Sequence, residues 1–125
     1  MSGYEQFKIQ GRVVQTGTDA PLAGLLVRAF DVDFFTEDDF LGEAHTGRNG
    51  EFQITFRESD FVKNILEQFF EGGPDIVLRI YAPDGTLLHT TPKRSGAHRF
   101  EHYYIMIPKS CGPDLESCML QREVR

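Results

Sequence analysis

The sequence predicts a mostly β protein, a seven-stranded antiparallel Greek-key β-sandwich with one short helix. Apolar and polar residues alternate with a period of two from Phe7 to Ile107, which is typical of strands with one buried face. Turn-forming residues recur about every ten positions, as they do in antiparallel sandwiches. Leu, Ile, Val and Phe supply 35 of the 125 residues, well above the roughly one-fifth share below which a charged chain stays disordered. The chain can therefore build one hydrophobic core.

The first two strands are predicted over residues 7–14 and 25–31. In the first, every second residue is apolar or glycine, and the strand ends at a Thr-Gly-Thr-Asp cluster. In the second, apolar residues fall on both faces, as in a central strand of a sandwich. Pro21 and Gly24 are expected to shape a hairpin between the two strands, because proline and glycine favour turn geometry.

Residues 41–46 and 51–56 are predicted to form a second hairpin. The Asn49-Gly50 pair between them supplies the positive φ angles that two-residue hairpin turns need. In the second of these strands, three alternate residues are expected to face the core: Phe52, Ile54 and Phe56.

A short helix is predicted over residues 60–70, where the apolar period changes from two to that of a helix. Ser59 can cap its start, and Gly72-Gly73-Pro74 ends it. We expect its apolar stripe either to be buried against the sandwich, the more frequent outcome, or to dock a partner. The stripe consists of Phe61, Ile65, Leu66, Phe69 and Phe70.

Three strands follow the helix. Residues 76–81 and 86–90 are predicted to form a hairpin around the turn Pro83-Asp84-Gly85. The last strand is predicted over residues 99–107, and Pro108 follows it.

The sandwich domain is predicted to cover residues 1–108, and a polar tail without hydrophobic period covers residues 109–125. Cys111 and Cys118 lie in this tail and are expected to be reduced thiols, because no export signal is seen. No run approaches the roughly 18 apolar residues of a membrane span. The absence of a signal peptide predicts a cytoplasmic protein, with export by another route as the alternative.

The formal charge of −6, from 19 acidic and 13 basic side chains, argues against nucleic-acid binding. Proteins bind duplexes mainly through lysine and arginine contacts to phosphate, and no basic stripe compensates for the acidic balance. We therefore expect a protein partner, and the sequence leaves the oligomeric state open.

Several short motifs stand in the predicted strands and turns: Gly11-Arg12-Val13-Val14, Ala20-Pro21-Leu22-Ala23-Gly24, Val27-Arg28-Ala29-Phe30-Asp31, Leu41-Gly42, Gly50-Glu51-Phe52 and the run from Pro74 to Tyr81. Together they resemble the transthyretin-like sandwiches, which include the carboxypeptidase regulatory-like domains. The resemblance covers residues 7–92 and implies the sandwich fold. It implies less about function, because this fold hosts carriers, hydrolases, dioxygenases and accessory domains.

The resemblance allows three functions to be compared. The related 5-hydroxyisourate hydrolases place a histidine in the first strand and end in Tyr-Arg-Gly-Ser, and this chain has neither feature. The intradiol dioxygenases hold iron with two tyrosines and a His-x-His pair, whereas His98 and His102 are four residues apart. Carboxypeptidase regulatory-like domains need no catalytic residues and accompany other proteins as folding or docking modules. The resemblance therefore implies an accessory module without a cofactor.

Residues 31–43 contain six acidic residues and no basic one, interrupted by aromatic residues. Exposed aromatic side chains mark interfaces, and this acidic, Phe-rich loop is the predicted partner-binding site, with Phe34, Phe35, Asp38, Asp39 and Phe40. Packing of these rings over an end of the sandwich is the competing interpretation. Clustered carboxylates are also the ligands that calcium requires, and the candidate calcium ligands are Asp31, Asp33, Asp38 and Asp39.

His98, Phe100 and His102 are predicted to share one face of the last strand. Their spacing separates the two imidazoles by about 14 Å, too far to share one zinc ion. A hydrolase that uses His45, or the His98 and His102 pair, as a base is the weakest functional candidate.

The favoured hypothesis is a non-enzymatic interaction or accessory module. It would bind a protein partner through the acidic, Phe-rich loop, the helix stripe or a strand edge, because an edge offers unpaired backbone groups. The alternative from another class is a calcium-dependent ligand-binding or carbohydrate-binding domain.

Overall fold

The computed structural model describes residues 6–32, 38–57 and 73–108. Every regular element in these ranges is a β-strand, and all seven predicted strands are confirmed with ends that shift by at most two residues. The strands are β1 (Gln6–Gln15), β2 (Leu26–Asp31), β3 (Asp39–His45), β4 (Glu51–Arg57), β5 (Ile76–Tyr81), β6 (Leu87–Thr90) and β7 (Phe100–Ile107).

The strands form two sheets that pack face to face as a β-sandwich. One sheet has three strands in the order β4-β1-β7, and the other has four in the order β3-β2-β5-β6. All pairs are antiparallel except β1 with β7, which is parallel. This pair departs from the purely antiparallel sandwich that the sequence predicted. Parallel neighbours need a long connection, and here β2 to β6 lie between the two strands.

The predicted hairpin between β3 and β4 is wrong, because these strands belong to different sheets. β3 pairs with β2, whereas β4 pairs with β1. The turn between β3 and β4 has a positive φ of 74° at Gly50 but none at Asn49, so it lacks the geometry of a two-residue hairpin turn. Gly50 instead lies against β1, where its carbonyl accepts the Val13 N–H at 2.8 Å. The turn therefore carries the chain from one sheet to the other.

The predicted hairpin between β1 and β2 is wrong for the same reason. Pro21 forms a bridge to β1, and Gly24 has a φ of 78°, so both residues guide the chain across the end of the sandwich. The buried Thr46 hydroxyl donates to the Leu22 carbonyl at 2.6 Å and accepts the Leu25 N–H at 3.0 Å. This single side chain therefore connects the two crossings between the sheets.

The core lies between the sheets and follows the predicted alternation. Its largest fully buried side chains are Ile9, Val13, Val14, Val27, Ile54, Ile76, Leu78 and Ile80. Full burial of one such side chain stabilises the fold by about 1.5–3 kcal/mol. The predicted inward face of β4 is confirmed, and so is the hairpin of β5 and β6. Gly11 leaves space for the Phe52 ring, since a Cβ there would lie 2.6 Å from a ring carbon.

Some predictions concern residues outside the described ranges. These are the helix over residues 60–70 with its apolar stripe, the loop residues Asp33, Phe34 and Phe35, and the tail with Cys111 and Cys118. The division at residue 108 stays a prediction. Within the described ranges, no helix has the length and apolar character needed to span a membrane.

Candidate functional site

Asp31 and Asp38, two carboxylates of the acidic segment, contact donors of the sandwich itself. The Asp31 side chain accepts the Asp75 N–H at 2.9 Å, and Asp38 forms an ion pair with Arg79 at 2.9 Å. Asp39 lies opposite Asp31 where β3 pairs with β2. Across residues 6–32, 38–57 and 73–108, no group of three His, Cys, Asp or Glu side chains is arranged to hold a metal ion. Calcium binding stays a prediction.

The four-stranded sheet displays Phe40, whose side chain is 51% exposed. The Phe40 ring packs edge-on against Phe30, with ring centroids 5.8 Å apart, and the Arg79 guanidinium lies 4.5 Å from the Phe30 ring. Asp38 pairs with the same guanidinium. The structure thus brings together two of the predicted partner-binding residues, Asp38 and Phe40.

The histidines do not form the pair that the sequence suggested. His98 precedes β7, and its Nδ1 lies 3.2 Å from a carboxylate oxygen of Glu101. His102 lies within β7, and the centroid of its ring is 4.8 Å from that of Phe100. The prediction that His98 and His102 share a strand face is therefore wrong, because β7 begins after His98.

β7 carries a row of large exposed side chains that the sequence analysis did not identify as a site. Its members, called here the β7 outer row, are Phe100, His102, Tyr104 and Met106. The three apolar members are 51%, 57% and 51% exposed in that order. The alternate residues face the core and are buried: Tyr103, Ile105 and Ile107. The sequence does indicate this row, because apolar residues occupy both faces of the last strand. An edge strand of a sandwich buries only one of its two faces.

β7 also lies at an edge of its sheet. The Lys8 N–H donates to the Arg99 carbonyl at 2.8 Å, and the Thr16 N–H donates to the Ile107 carbonyl at 2.9 Å. Because residues alternate in direction along a strand, the odd-numbered residues of β7 bond to β1. The N–H and C=O groups of the even-numbered residues therefore point to the outside edge. These are the residues of the β7 outer row.

Arg94 occupies one backbone acceptor in the first half of this edge. One guanidinium nitrogen, Nη1, donates to the His102 carbonyl at 2.8 Å and to Glu101 at 2.9 Å. Burial raises the pKa of the Glu101 carboxyl, but a backbone N–H and the Arg94 guanidinium outweigh burial, and the net pKa lies below 4.5. Glu101 is therefore ionised at neutral pH and holds Arg94 in place. Among the described residues, nothing pairs with the edge groups of Tyr104 and Met106.

An open groove of about 840 Å³ crosses the outer face of the three-stranded sheet, and it is called here the sheet groove. The register aligns its lining side chains in two rows across the strands, Gln53-Gln10-His102 and Glu51-Arg12-Tyr104. His45, at the end of β3, borders the groove. Two of the histidines considered from the sequence, His45 and His102, thus share one surface.

The two neighbouring tyrosines of β7 differ in surroundings. The Tyr104 hydroxyl donates to Asp19 at 3.2 Å, and desolvation together with this hydrogen bond raises the pKa of Tyr104. Burial raises the pKa of Tyr103, whose ring centroid lies 3.8 Å from the Arg94 guanidinium carbon. The described part of the chain offers the Tyr103 hydroxyl no hydrogen-bond partner. Both hydroxyls stay protonated at neutral pH.

No protein-family model and no curated protein matches the chain significantly. Among solved structures, the chain is similar to part of a 9R-lipoxygenase from Cyanothece PCC8801, with 19% identity and a TM-score of 0.63. This match covers 83% of the chain and 17% of the lipoxygenase. The dioxygenase domain of a dioxygenase carbohydrate-binding protein fusion from Streptomyces sp. SirexAA-E is 17% identical with a TM-score of 0.51, over 86% of this chain and 82% of that domain.

These similarities concern the fold alone. At 19% and 17% identity, neither enzyme's activity transfers to this chain. The chain spans only about a sixth of the lipoxygenase. The comparisons and the strand order agree that the chain folds as a β-sandwich.

Proposed function

We propose that this chain is a non-enzymatic interaction module, and that it binds a protein partner by accepting a strand of the partner at the outside edge of β7. One observation carries the proposal: Tyr104 and Met106 combine outward-facing backbone groups with exposed apolar side chains. An added strand gains main-chain hydrogen bonds at such an edge, and its alternate side chains supply specificity.

The other three sheet edges have features that oppose strand addition. β6 has four residues, and β3 pairs irregularly with β2. The outer row of β4 is polar: Glu51, Gln53, Thr55 and Arg57. Natural edges avoid pairing by being short, irregular or charged. β7 has eight residues without lysine or proline, and its one charged residue, Glu101, lies in the half that Arg94 contacts.

The geometry of the edge defines the partner segment. Because Arg94 occupies the His102 carbonyl, pairing begins at Tyr104 and continues through Met106. An antiparallel partner exchanges two hydrogen bonds with each of these residues. The partner segment is therefore short and extended, with apolar side chains on the face shared with the β7 outer row. The net charge of −6 favours basic residues beside it.

The finer family assignment belongs to the same proposal. The motifs Gly11-Arg12-Val13-Val14 and Val27-Arg28-Ala29-Phe30-Asp31 fall in β1 and β2, as expected for a transthyretin-like sandwich. We infer kinship with the carboxypeptidase regulatory-like domains from these motifs and the sandwich architecture. Because such domains act without catalytic residues, this kinship supports a non-enzymatic role.

The test is selection of binding peptides from a displayed random library, followed by affinity measurements with the Met106→Pro variant. Proline removes the Met106 N–H, which points away from β1, so the internal ladder of the sheet stays intact. We expect enriched peptides with alternating apolar residues, and about a tenfold weaker affinity for Met106→Pro, which corresponds to one lost hydrogen bond.

Thr55→Pro is the matched control, because it removes an outward N–H from the opposite edge strand, β4. The register of β4 with β1 places the odd-numbered residues of β4 at that edge. This variant should bind the peptides with unchanged affinity. Equal affinity for Met106→Pro and the native chain, with a loss in Phe40→Ala, would contradict the proposal and move the interface to the four-stranded sheet. Failure to enrich any extended peptide would also contradict it.

A further inference from the structure

We propose that the sheet groove is a second binding site, and that its ligand is a neutral oligosaccharide. This site does not depend on strand addition at β7. Gln10 and Gln53 belong to the groove and lie away from the β7 edge, whereas Met106 belongs to the edge and lies outside the groove.

The central row of the groove offers both donors and acceptors. Gln10 Nε2 donates to Gln53 Oε1 at 3.1 Å. Each amide has two donor hydrogens and one acceptor oxygen, so this hydrogen bond leaves the Gln10 oxygen and the Gln53 nitrogen available to a ligand. His102 extends the same row with an imidazole nitrogen. Vicinal hydroxyl groups, which both donate and accept, match such a row.

The charges in the groove cancel. Arg12 and Glu51 form an ion pair at 3.4 Å, with side chains 46% and 65% exposed. A solvent-exposed pair of this kind contributes little to folding, so its role in stability does not explain its position. The paired charges give neither a phosphate nor a carboxylate a net attraction, which favours a neutral ligand.

Tyr104 supplies an aromatic face at the end of the second row. Its side chain is 57% exposed, and the hydrogen bond from its hydroxyl to Asp19 restrains the ring. An aromatic ring packs well against the C–H face of a sugar while its polar tip stays solvated. Immobilising the ring before binding lowers the entropy cost of complex formation.

The dimensions and composition of the groove distinguish a sugar chain from a peptide. Two strand spacings make each row about 10 Å long, and the groove volume of about 840 Å³ lies within the range of about 300–1,000 Å³ for small-ligand sites. Apart from Tyr104, the side chains of the two rows are amides, an imidazole and an ion pair, and such groups form hydrogen bonds with sugar hydroxyls.

The experiment titrates the isotope-labelled full chain with cellohexaose, xylohexaose, maltohexaose and mannohexaose at millimolar concentrations, with EDTA present. Two-dimensional NMR reports both backbone amides and the Gln10 and Gln53 side-chain amides. We expect at least one sugar to shift these side-chain signals. Gln53→Ala and Tyr104→Ala should each weaken binding by about tenfold, the equivalent of one lost contact of about 1.4 kcal/mol.

Thr55→Ala is the matched control, since it changes an exposed residue on the same face but outside the groove. It should keep the native affinity, as should Met106→Pro, the variant designed against strand addition. Thermal unfolding of each variant verifies that it is folded. The proposal is overturned if no sugar moves the groove signals, if the shifts map elsewhere, or if binding survives both Gln53→Ala and Tyr104→Ala. Peptide binding that persists in Gln53→Ala keeps the two proposals separate.

Discussion

At the scale of single residues, burial decides how much each polar contact matters. Glu101 is 12% exposed and accepts hydrogen bonds from Arg94 and from the His98 N–H. The Glu51 side chain is 65% exposed and forms an ion pair with Arg12 at 3.4 Å on the solvent-exposed surface. The two carboxylates are both paired with arginine, but only Glu101 is held by several donors away from solvent.

This difference predicts a pH-dependent effect of Glu101→Gln. The folded-state pKa of Glu101 is below its ordinary value of 4.5. The ionised Glu101 side chain therefore stabilises the fold fully at pH values above the unfolded-state pKa. This stabilisation is lost as the pH falls through the folded-state pKa. We expect Glu101→Gln to reduce the free energy of unfolding by about 1–2 kcal/mol at pH 7, and we expect this difference to shrink as the pH falls below the ordinary pKa of a glutamate.

Urea unfolding at several pH values measures this difference. Glu51→Gln is the control and should change the free energy of unfolding by less than about 0.5 kcal/mol at any pH. An effect of Glu101→Gln that stays constant across the pH range would show that its ionised form is not what stabilises the fold.

Thr46 supports a second prediction at this scale. Its hydroxyl has two backbone partners, the Leu22 carbonyl and the Leu25 N–H, and the side chain is 4% exposed. Thr46→Val keeps the shape but leaves both partners unsatisfied, which should cost about 2 kcal/mol or more in the free energy of unfolding. Thr55→Val, at an exposed position of β4, should cost nothing measurable by the same urea titration. Equal effects of the two variants would exclude Thr46 as the connection between the crossings.

At the scale of elements, alternation located every strand but could not assign its neighbours. Both mistaken hairpins joined strands that are adjacent in sequence and lie in different sheets. The alternation of apolar and polar residues indicates which side chains of a strand are buried. The pattern is the same whether the next strand in sequence pairs with that strand in one sheet or packs against it from the opposite sheet. The turn residues Pro83-Asp84-Gly85 correctly predicted the hairpin of β5 and β6, because this turn connects two strands that pair antiparallel.

The turn between β3 and β4 allows a prediction about the stability of glycine-to-alanine variants. Gly50 has a φ of 74°, and a Cβ there would collide with the Val13 carbonyl. Gly85 has a φ of 92° with no atom within 4 Å of a Cβ. Gly85→Ala should cost about 1 kcal/mol from backbone conformation alone, whereas Gly50→Ala should cost about 3 kcal/mol or more. Denaturant unfolding of both variants measures the difference, and equal losses would show that Val13 yields without cost.

At the scale of the whole molecule, the two sheets present different outer surfaces. The four-stranded sheet covers its outer face with arginine and aromatic side chains that contact one another, as Arg79 contacts Phe30. The three-stranded sheet carries the sheet groove, and beside the groove the backbone edge groups of Tyr104 and Met106 have no partner among the described residues. Met106→Pro and Gln53→Ala separate the edge from the groove. Together these variants test whether one sheet serves two kinds of ligand.

The sequence by itself determined the strand positions, the inward face of β4 and the sandwich architecture, because burial of one strand face leaves a period of two in the residue order. It also pointed to Asp38 and Phe40, which the structure places together. Only the tertiary structure decided that β7 pairs in parallel with β1 and forms an edge, and that Gln10, Gln53 and Tyr104 meet in one groove. In sequence, Gln10 is 43 positions from Gln53 and 94 positions from Tyr104. Which strands pair in a sheet depends on how the complete core packs, and a local sequence pattern does not contain this information.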